Sequence, residues 1–205
     1  MFVVTLLTNP ETPVLERVTV ESLRSAWGGG AARWLDPGVA AEFDLDAVPG
    51  NRWEVWEGLQ ALRVDMVVQK AGGRKKRLLI ADMDSTMIRQ ECIDELADEA
   101  GVGARVADIT ARAMNGELDF EGALRDRVAL LKGLPEGVVA QVLRDRITLM
   151  PGGAVLLATM KAQGAYAALV SGGFTAFTGA VAARLGFDEN RANTLHVEAG
   201  RLAGT

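Results

Sequence analysis

Five residues, Asp82-Met83-Asp84-Ser85-Thr86, directly follow the apolar run Leu78-Leu79-Ile80-Ala81, and no other feature constrains the chain as much. A short apolar run reads as a strand buried on both faces, although periodicity alone leaves a buried helical turn open. As a strand, it sets two carboxylates one residue apart at its carboxyl end, where open α/β sheets receive ligands. Carboxylates this close repel each other and call for a cation. Magnesium suits such an all-oxygen site, because it uses few protein carboxylates and keeps water and substrate phosphate as ligands. Carboxylates with magnesium point to phosphoryl chemistry.

Composition narrows the alternatives. The chain has 205 residues, enough for one large domain or two small ones, and 49% of them are hydrophobic, which describes a globular protein and not a disordered one. A net charge of -5 gives no reason to expect nucleic acid. The single cysteine, Cys92, excludes a disulfide within the chain and fits a reducing compartment. No apolar stretch approaches the ~18 residues of a membrane span. The segment Met1 to Leu7 lacks a positive n-region and soon meets Asn9-Pro10-Glu11, so it does not read as a signal peptide. The expected location is the cytoplasm, with no membrane and no nucleic acid as partner. Association into a homodimer is left open.

Along the chain, residues 1–71 read as a small separate domain. Strands are expected over Phe2 to Leu7, Ala31 to Leu35, Val39 to Leu45 and Val64 to Val68, and helices over Pro13 to Trp27 and Asn51 to Leu62. The order βαββαβ is the ferredoxin-like pattern, in an ACT-like α+β domain. All four tryptophans lie here and read as core or interface. Residues 72–77, Gly72-Gly73-Arg74-Lys75-Lys76-Arg77, read as a basic solvated linker. The remainder, 78–205, reads as α/β, with a helical insert at about 93–148. Its helices are expected over Ile93 to Ala100 and Ala104 to Asn115, along the stripe Phe120, Leu124, Val128, Leu131, and from Pro135 and Pro151 onward. A second buried strand, Ala165 to Val170, delivers Ser171-Gly172-Gly173 into the next helix. Thr194 to Glu198 and Arg201 to Gly204 flank Ala199-Gly200 as a hairpin.

These residues carry a resemblance. Asp82-Met83-Asp84-Ser85-Thr86 resembles the first motif of the haloacid dehalogenase (HAD) superfamily, and Ser171-Gly172-Gly173 its second. The segments Ala113-Met114-Asn115-Gly116, Asp119-Phe120-Glu121 and Leu124 to Leu134 resemble the phosphoserine phosphatase family within it. The resemblance spans about residues 77–205. It implies a Rossmann-like parallel sheet with a helical cap, magnesium as cofactor, and hydrolysis of phosphoserine to serine and phosphate in serine biosynthesis. Asp82 is then the nucleophile that forms an aspartyl phosphate, and Asp84 the general acid and base. Magnesium is held by the Asp82 carboxylate and the backbone carbonyl of Asp84. Ser171 and the Gly172 amide bind the phosphoryl group, Glu91 the substrate ammonium, and Arg127 its carboxylate. Met114 and Phe120 are apolar closing residues, although alone they read as core packing. Cys92 reads as a packing residue and His196 as an ordinary strand residue.

The family's third and fourth motifs, a lysine and a Gly-Asp-Gly-x-x-Asn-Asp type loop, are not found, and neither Lys132 nor Lys161 stands at the lysine's position. The expectation is therefore an incomplete sheet in a C-terminally truncated phosphatase, with weak magnesium binding and little turnover. Two other readings remain: a phosphatase or phosphotransferase for another small phosphometabolite, and an inactive fragment or regulatory binding module.

Overall fold

A computed structural model describes residues 1–205, which form two compact units, Met1–Lys75 and Lys76–Thr205. The first contains β1 (Phe2–Leu7), α1 (Arg17–Ala26), β2 (Arg33–Asp36), β3 (Ala40–Leu45), α2 (Arg52–Gln60) and β4 (Asp65–Lys70). Its antiparallel sheet runs in the order β2-β3-β1-β4. Strand alternation places Val4, Leu6, Ala41, Phe43, Leu45 and Met66 in one core with Leu15, Val20 and Leu59 of the helical side. Glu42 is buried on β3, where Arg33 and Arg74 pair with its carboxylate. Helix α1 starts at Arg17 and not at Pro13. Glu16 is extended (ψ 147°), and the Leu15 amide donates to Gly38 O, so residues before 17 anchor the loop to the core.

The second unit holds the parallel sheet β5 (Leu78–Ala81), β6 (Tyr166–Phe174) and β7 (Glu189–Asn193), in that spatial order. Between β5 and β6 lie α3 (Cys92–Glu99), α4 (Gly103–Met114), α5 (Phe120–Ala129), α6 (Val138–Asp145) and α7 (Gly153–Ala162). Helix α8 (Thr175–Leu185) connects β6 to β7, and the hairpin β8 (Val197–Glu198) and β9 (Arg201–Leu202) follows. Parallel strands with helical crossovers bear out the expected α/β class. Met83, Ile88, Cys92, Leu96, Leu131, Val142, Leu169 and Phe177 share one core, so the helical insert and the sheet are packed together.

Three local expectations are corrected. Strand β5 is buried on one face only: Leu79 and Ala81 turn inward, whereas Leu78 and Ile80 are 54% and 64% exposed. The register pairs Leu78 with Tyr166 and Ile80 with Ala168, so the open face continues across β6 to Tyr166 and Val170. Strand β6 does not stop at Val170 but stays extended through Ser171-Gly172-Gly173 to Phe174, the N-cap of α8. Pro135 does not open a helix. It bridges to Arg201 while the Glu136 amide donates to Gly200 O, and α6 starts only at Val138. In the expected hairpin, Ala199 (φ 48°) and Gly200 (φ 74°) supply the two positive φ angles of a tight two-residue turn.

Lys161, at the end of α7, fixes the entry of β7. Its Nζ donates to Gly186 O at 2.7 Å and to Asp188, whose second oxygen accepts from the Ala167 amide at 2.9 Å. The Lys161 hydrogen bond, then the Ala167 amide, lower the Asp188 pKa. A depressed carboxylate stabilises the fold above its unfolded pKa and loses that contribution as pH falls through the folded one. Lys161→Met should therefore lower the melting temperature near pH 7. The difference from the parent should shrink as thermal melts are taken below pH ~4.

Candidate active site

The end of β5 and the extension of β6 create the site. Because Ala81 pairs with Leu169, the residues just beyond this pair, Asp82 to Asp84 and Ser171 to Gly173, emerge side by side. The Asp82 Oδ1 accepts from the Met83 amide at 2.7 Å, and Oδ2 makes no hydrogen bond within the chain. Asp84 is held on both sides: Oδ1 accepts from the Cys92 amide at 3.0 Å, and Oδ2 from the Ser171 hydroxyl at 3.4 Å. That hydroxyl also accepts from the Gly173 amide at 2.9 Å. Gly173 is required by close approach, since a Cβ there would lie 2.8 Å from Asp84 Oδ2 and 3.1 Å from Ser171 Oγ.

These groups line a cleft of about 270 Å³ together with Glu91, Phe120, Leu124, Arg127 and Gly172. Four elements or their ends converge there: β5, α3, α5 and β6. Glu91, the N-cap of α3, does not cap its own helix; it accepts from the Ser85 hydroxyl at 2.7 Å. Ser85 takes a left-handed backbone (φ 50°), uncommon for a residue with a side chain. Arg127, on α5, is half-buried, and its Nε donates to Ala123 O at 3.2 Å. Phe120 opens α5 and stands over Gly172, its Cζ 3.1 Å from where a Gly172 Cβ would lie. Asp119 fixes that helix start by accepting from the Gly122 amide at 2.6 Å.

Of the residues singled out in the sequence, Asp82, Asp84, Glu91, Phe120, Arg127, Ser171 and Gly172 are brought together in this cleft. Met114 is not: at the end of α4 it is 84% exposed and lines no part of the cleft. Its α4 neighbours turn inward elsewhere, with Val106 as the buried anchor of that helix. Cys92 is fully buried, and desolvation, then the nearby Asp84 charge, push its thiol pKa far up, so it is no nucleophile. His196 lies just before β8, not in it; its amide donates to Thr205 O and its carbonyl accepts from the Ala203 amide. It lines a larger hollow of about 880 Å³ beside α5, which shares Phe120, Leu124 and Phe174 with the cleft but contains neither Asp82 nor Asp84. The smaller cleft is therefore the chemical site.

Two contributors were missed in the sequence. Ser85 donates to Glu91, and Asn193, at the end of β7, donates to Gly172 O at 2.8 Å and steadies the Ser171-Gly172-Gly173 segment. A small polar residue in the first motif was a usable signal for Ser85. Asn193 carried none, because its position depends on the β6–β7 register.

The donor set fits magnesium. The cleft lining has three carboxylates, Asp82, Asp84 and Glu91, against one guanidinium, and a phosphate ester would add further negative charge. No three acidic, histidine or cysteine side chains cluster as a cage.

A parallel sheet with carboxylates at a strand end and a helical insert beside them describes a Rossmann-like α/β hydrolase fold. Residues 79–205 match the family model for haloacid dehalogenase-like hydrolases, and the chain belongs to that family. A phosphoserine phosphatase of Archaeoglobus fulgidus is 43% identical over 172 residues, covering 81% of this chain and 50% of that protein. The chain thus spans about half the length of the curated relatives it matches. A HAD-family hydrolase from Salmonella enterica serovar Typhi superposes with a TM-score of 0.83 at 28% identity, covering 99% of this chain and 71% of its own. A phosphoserine phosphatase with a phospho-aspartyl intermediate analogue superposes with a TM-score of 0.59 at 43% identity, covering 64% of this chain and 63% of its own.

Gly173→Ala tests the packing of the site. The methyl group must displace Asp84 or Ser171, and a shift approaching 1 Å at a reacting group costs ~100-fold in rate. Phosphatase turnover should fall by that order while circular dichroism and the melting temperature stay close to those of the parent.

Proposed function

We propose that the protein is a phosphoserine phosphatase working through an aspartyl phosphate. The observation that carries this reading is the convergence of Asp82 and Asp84 with Glu91 and Arg127 in one small cleft. A carboxylate and a guanidinium on the far wall match the ammonium and carboxylate of an amino acid, while Ser171 and Gly172 line the phosphate end. The relatives named phosphoserine phosphatase support the same substrate.

In this reading, the unbonded Asp82 Oδ2 attacks phosphorus, and the bond from phosphorus to the serine oxygen breaks. Asp84 gives that oxygen its proton. Asp84, now a carboxylate, takes a proton from water; the water oxygen attacks phosphorus, the bond to Asp82 breaks, and phosphate leaves. The Cys92 amide and the Ser171 hydroxyl keep Asp84 turned into the cleft for both proton transfers. Phe120 covers the glycine turn and limits water at the phosphoryl end. Magnesium, held by the Asp82 carboxylate and the Asp84 carbonyl, would supply charge neutralisation and phosphate orientation.

With one cationic side chain in the cleft and no cluster of three ligating side chains, the 205 residues by themselves are expected to bind magnesium weakly and turn over slowly. Two measurements test the reading. Acid-quenched protein incubated with radiolabelled phosphoserine and magnesium should carry an alkali-labile label, lost in Asp82→Asn. Absence of that label in protein that releases phosphate would sink the covalent route. Arg127→Ala should weaken phosphoserine by ~10- to 100-fold, the worth of a charged hydrogen-bonded contact, and leave phosphoethanolamine unchanged. An equal loss on both compounds would point to another phosphometabolite.

A further inference from the structure

We propose that Thr110 is a positioning residue that fixes the plane of the Arg127 guanidinium and so sets the end-on geometry in which the substrate carboxylate is received. The inference rests on the reading of Arg127 as the carboxylate site and goes on to specify how that site is built.

An arginine side chain has five N–H donors in one plane. Two of those on Arg127 are engaged by the protein. Nε donates to Ala123 O, one turn back on its own helix, at 3.2 Å, and Nη1 donates to the Thr110 hydroxyl on α4 at 3.4 Å. The first bond ties the guanidinium only to its own helix and leaves some rotation about the Cδ–Nε bond. A second, from a different helix, removes that freedom. Helices α4 and α5 pack directly on each other, so the anchor is tied to the fold and not to the mobility of one side chain. No other side-chain hydrogen bond reaches Arg127, and no carboxylate lies within 4 Å of it. The Arg127 charge is felt by Asp94 on α3. Its carboxyl pKa is raised, by desolvation first, with the Arg127 charge pulling it back down.

The Nε edge is thus closed to ligand. The remaining Nη1 hydrogen and both Nη2 hydrogens stay available, and Arg127 faces the cleft that holds Glu91, Ser171 and Asp84. A carboxylate must then bridge Nη1 and Nη2 from the end. Because a bidentate contact needs both oxygens in the guanidinium plane, losing the plane weakens the carboxylate and nothing else.

The test uses two non-hydrolysable phosphonates with magnesium: L-2-amino-4-phosphonobutanoate, isosteric with phosphoserine, and 3-aminopropylphosphonate, which lacks the carboxylate. Thr110→Val keeps the side-chain shape and removes the acceptor. It should weaken the first ligand about 5-fold, the worth of one modest hydrogen bond, and leave the second unchanged, whereas Thr110→Ser should bind as the parent does. Equal weakening of both ligands, or none of either, overturns the role of Thr110. Parent protein that binds both phosphonates equally, or neither, sinks the amino-acid reading itself, a result that does not depend on the Thr110 variants. Melting temperatures of both variants separate loss of fold from loss of the contact.

Discussion

The parallel pairing of β5 with β6 is the constraint on which the site depends. Its register, from Leu78 with Tyr166 to Ala81 with Leu169, decides which residues leave the sheet together. A slip of one residue in either strand would turn its own inward side chains, Leu79 and Ala81 or Ala167 and Leu169, out of the core, so their burial fixes the register. The catalytic geometry inherits that precision. Asp84 meets Ser171 because the residues after Ala81 leave β5 beside the extended end of β6, and Gly173 allows the contact because it has no Cβ. The β6–β7 register repeats the device on the other side, bringing Asn193 to Gly172.

The helical insert is attached to this frame by a short ribbon. Residues 85–91 leave the sheet and residues 147–150 return to it, joined by the Ile88–Leu149 bridge and the Arg89 and Met150 amides. Gln90 and Thr148 add reciprocal contacts, with the Gln90 amide donating to Thr148 Oγ1 and the Thr148 backbone amide to Gln90 Oε1, both at 2.9 Å. The ribbon alone would make a loose tether. Leu96, Val106, Leu131 and Val142 of the insert share the apolar core with Met83 just after β5, Leu169 of β6 and Phe177 of α8, and burying each large side chain contributes roughly 1.5–3 kcal/mol. Glu91 and Arg127 are therefore carried on a packed body. The outer ends of the insert are less constrained: Met114 and Phe120 are exposed, and neither is fixed by the core.

Much of this was legible because the first motif joins a strand signal to a chemical one. Leu78 to Ala81 is apolar and short, and the acids follow at once. Gly101, Gly116, Gly133 and Gly164 mark the ends of helical segments or their following turns by their positive φ, as their place after apolar stripes implied. What failed was information held elsewhere in the fold. An apolar run shows that a residue tolerates burial, not that a neighbour exists to bury it, so Leu78 and Ile80 were misread. Pro135 has the residue type for a helix start, but pairing with the hairpin at Arg201 outweighs that local preference. Ser85 and Thr110 make contacts that depend on a strained turn and on helix packing, respectively, and neither is encoded in spacing.

On the proposed function, the charge distribution in the cleft would favour an amino-acid phosphate over a simple phosphate ester. Asp82, Asp84 and Glu91 outnumber Arg127, so a bare dianion meets repulsion that a metal ion must offset. A substrate that also brings an ammonium group satisfies Glu91 without further metal, and its carboxylate satisfies Arg127. The acidic excess is then confined to Asp82 and Asp84, where the reaction takes place. Ser85 and Thr110 make that separation effective. By holding Glu91 and the guanidinium at fixed positions on α3 and α5, they keep the recognition charges from collapsing onto the catalytic ones, a division that electrostatics alone would not maintain in so small a space.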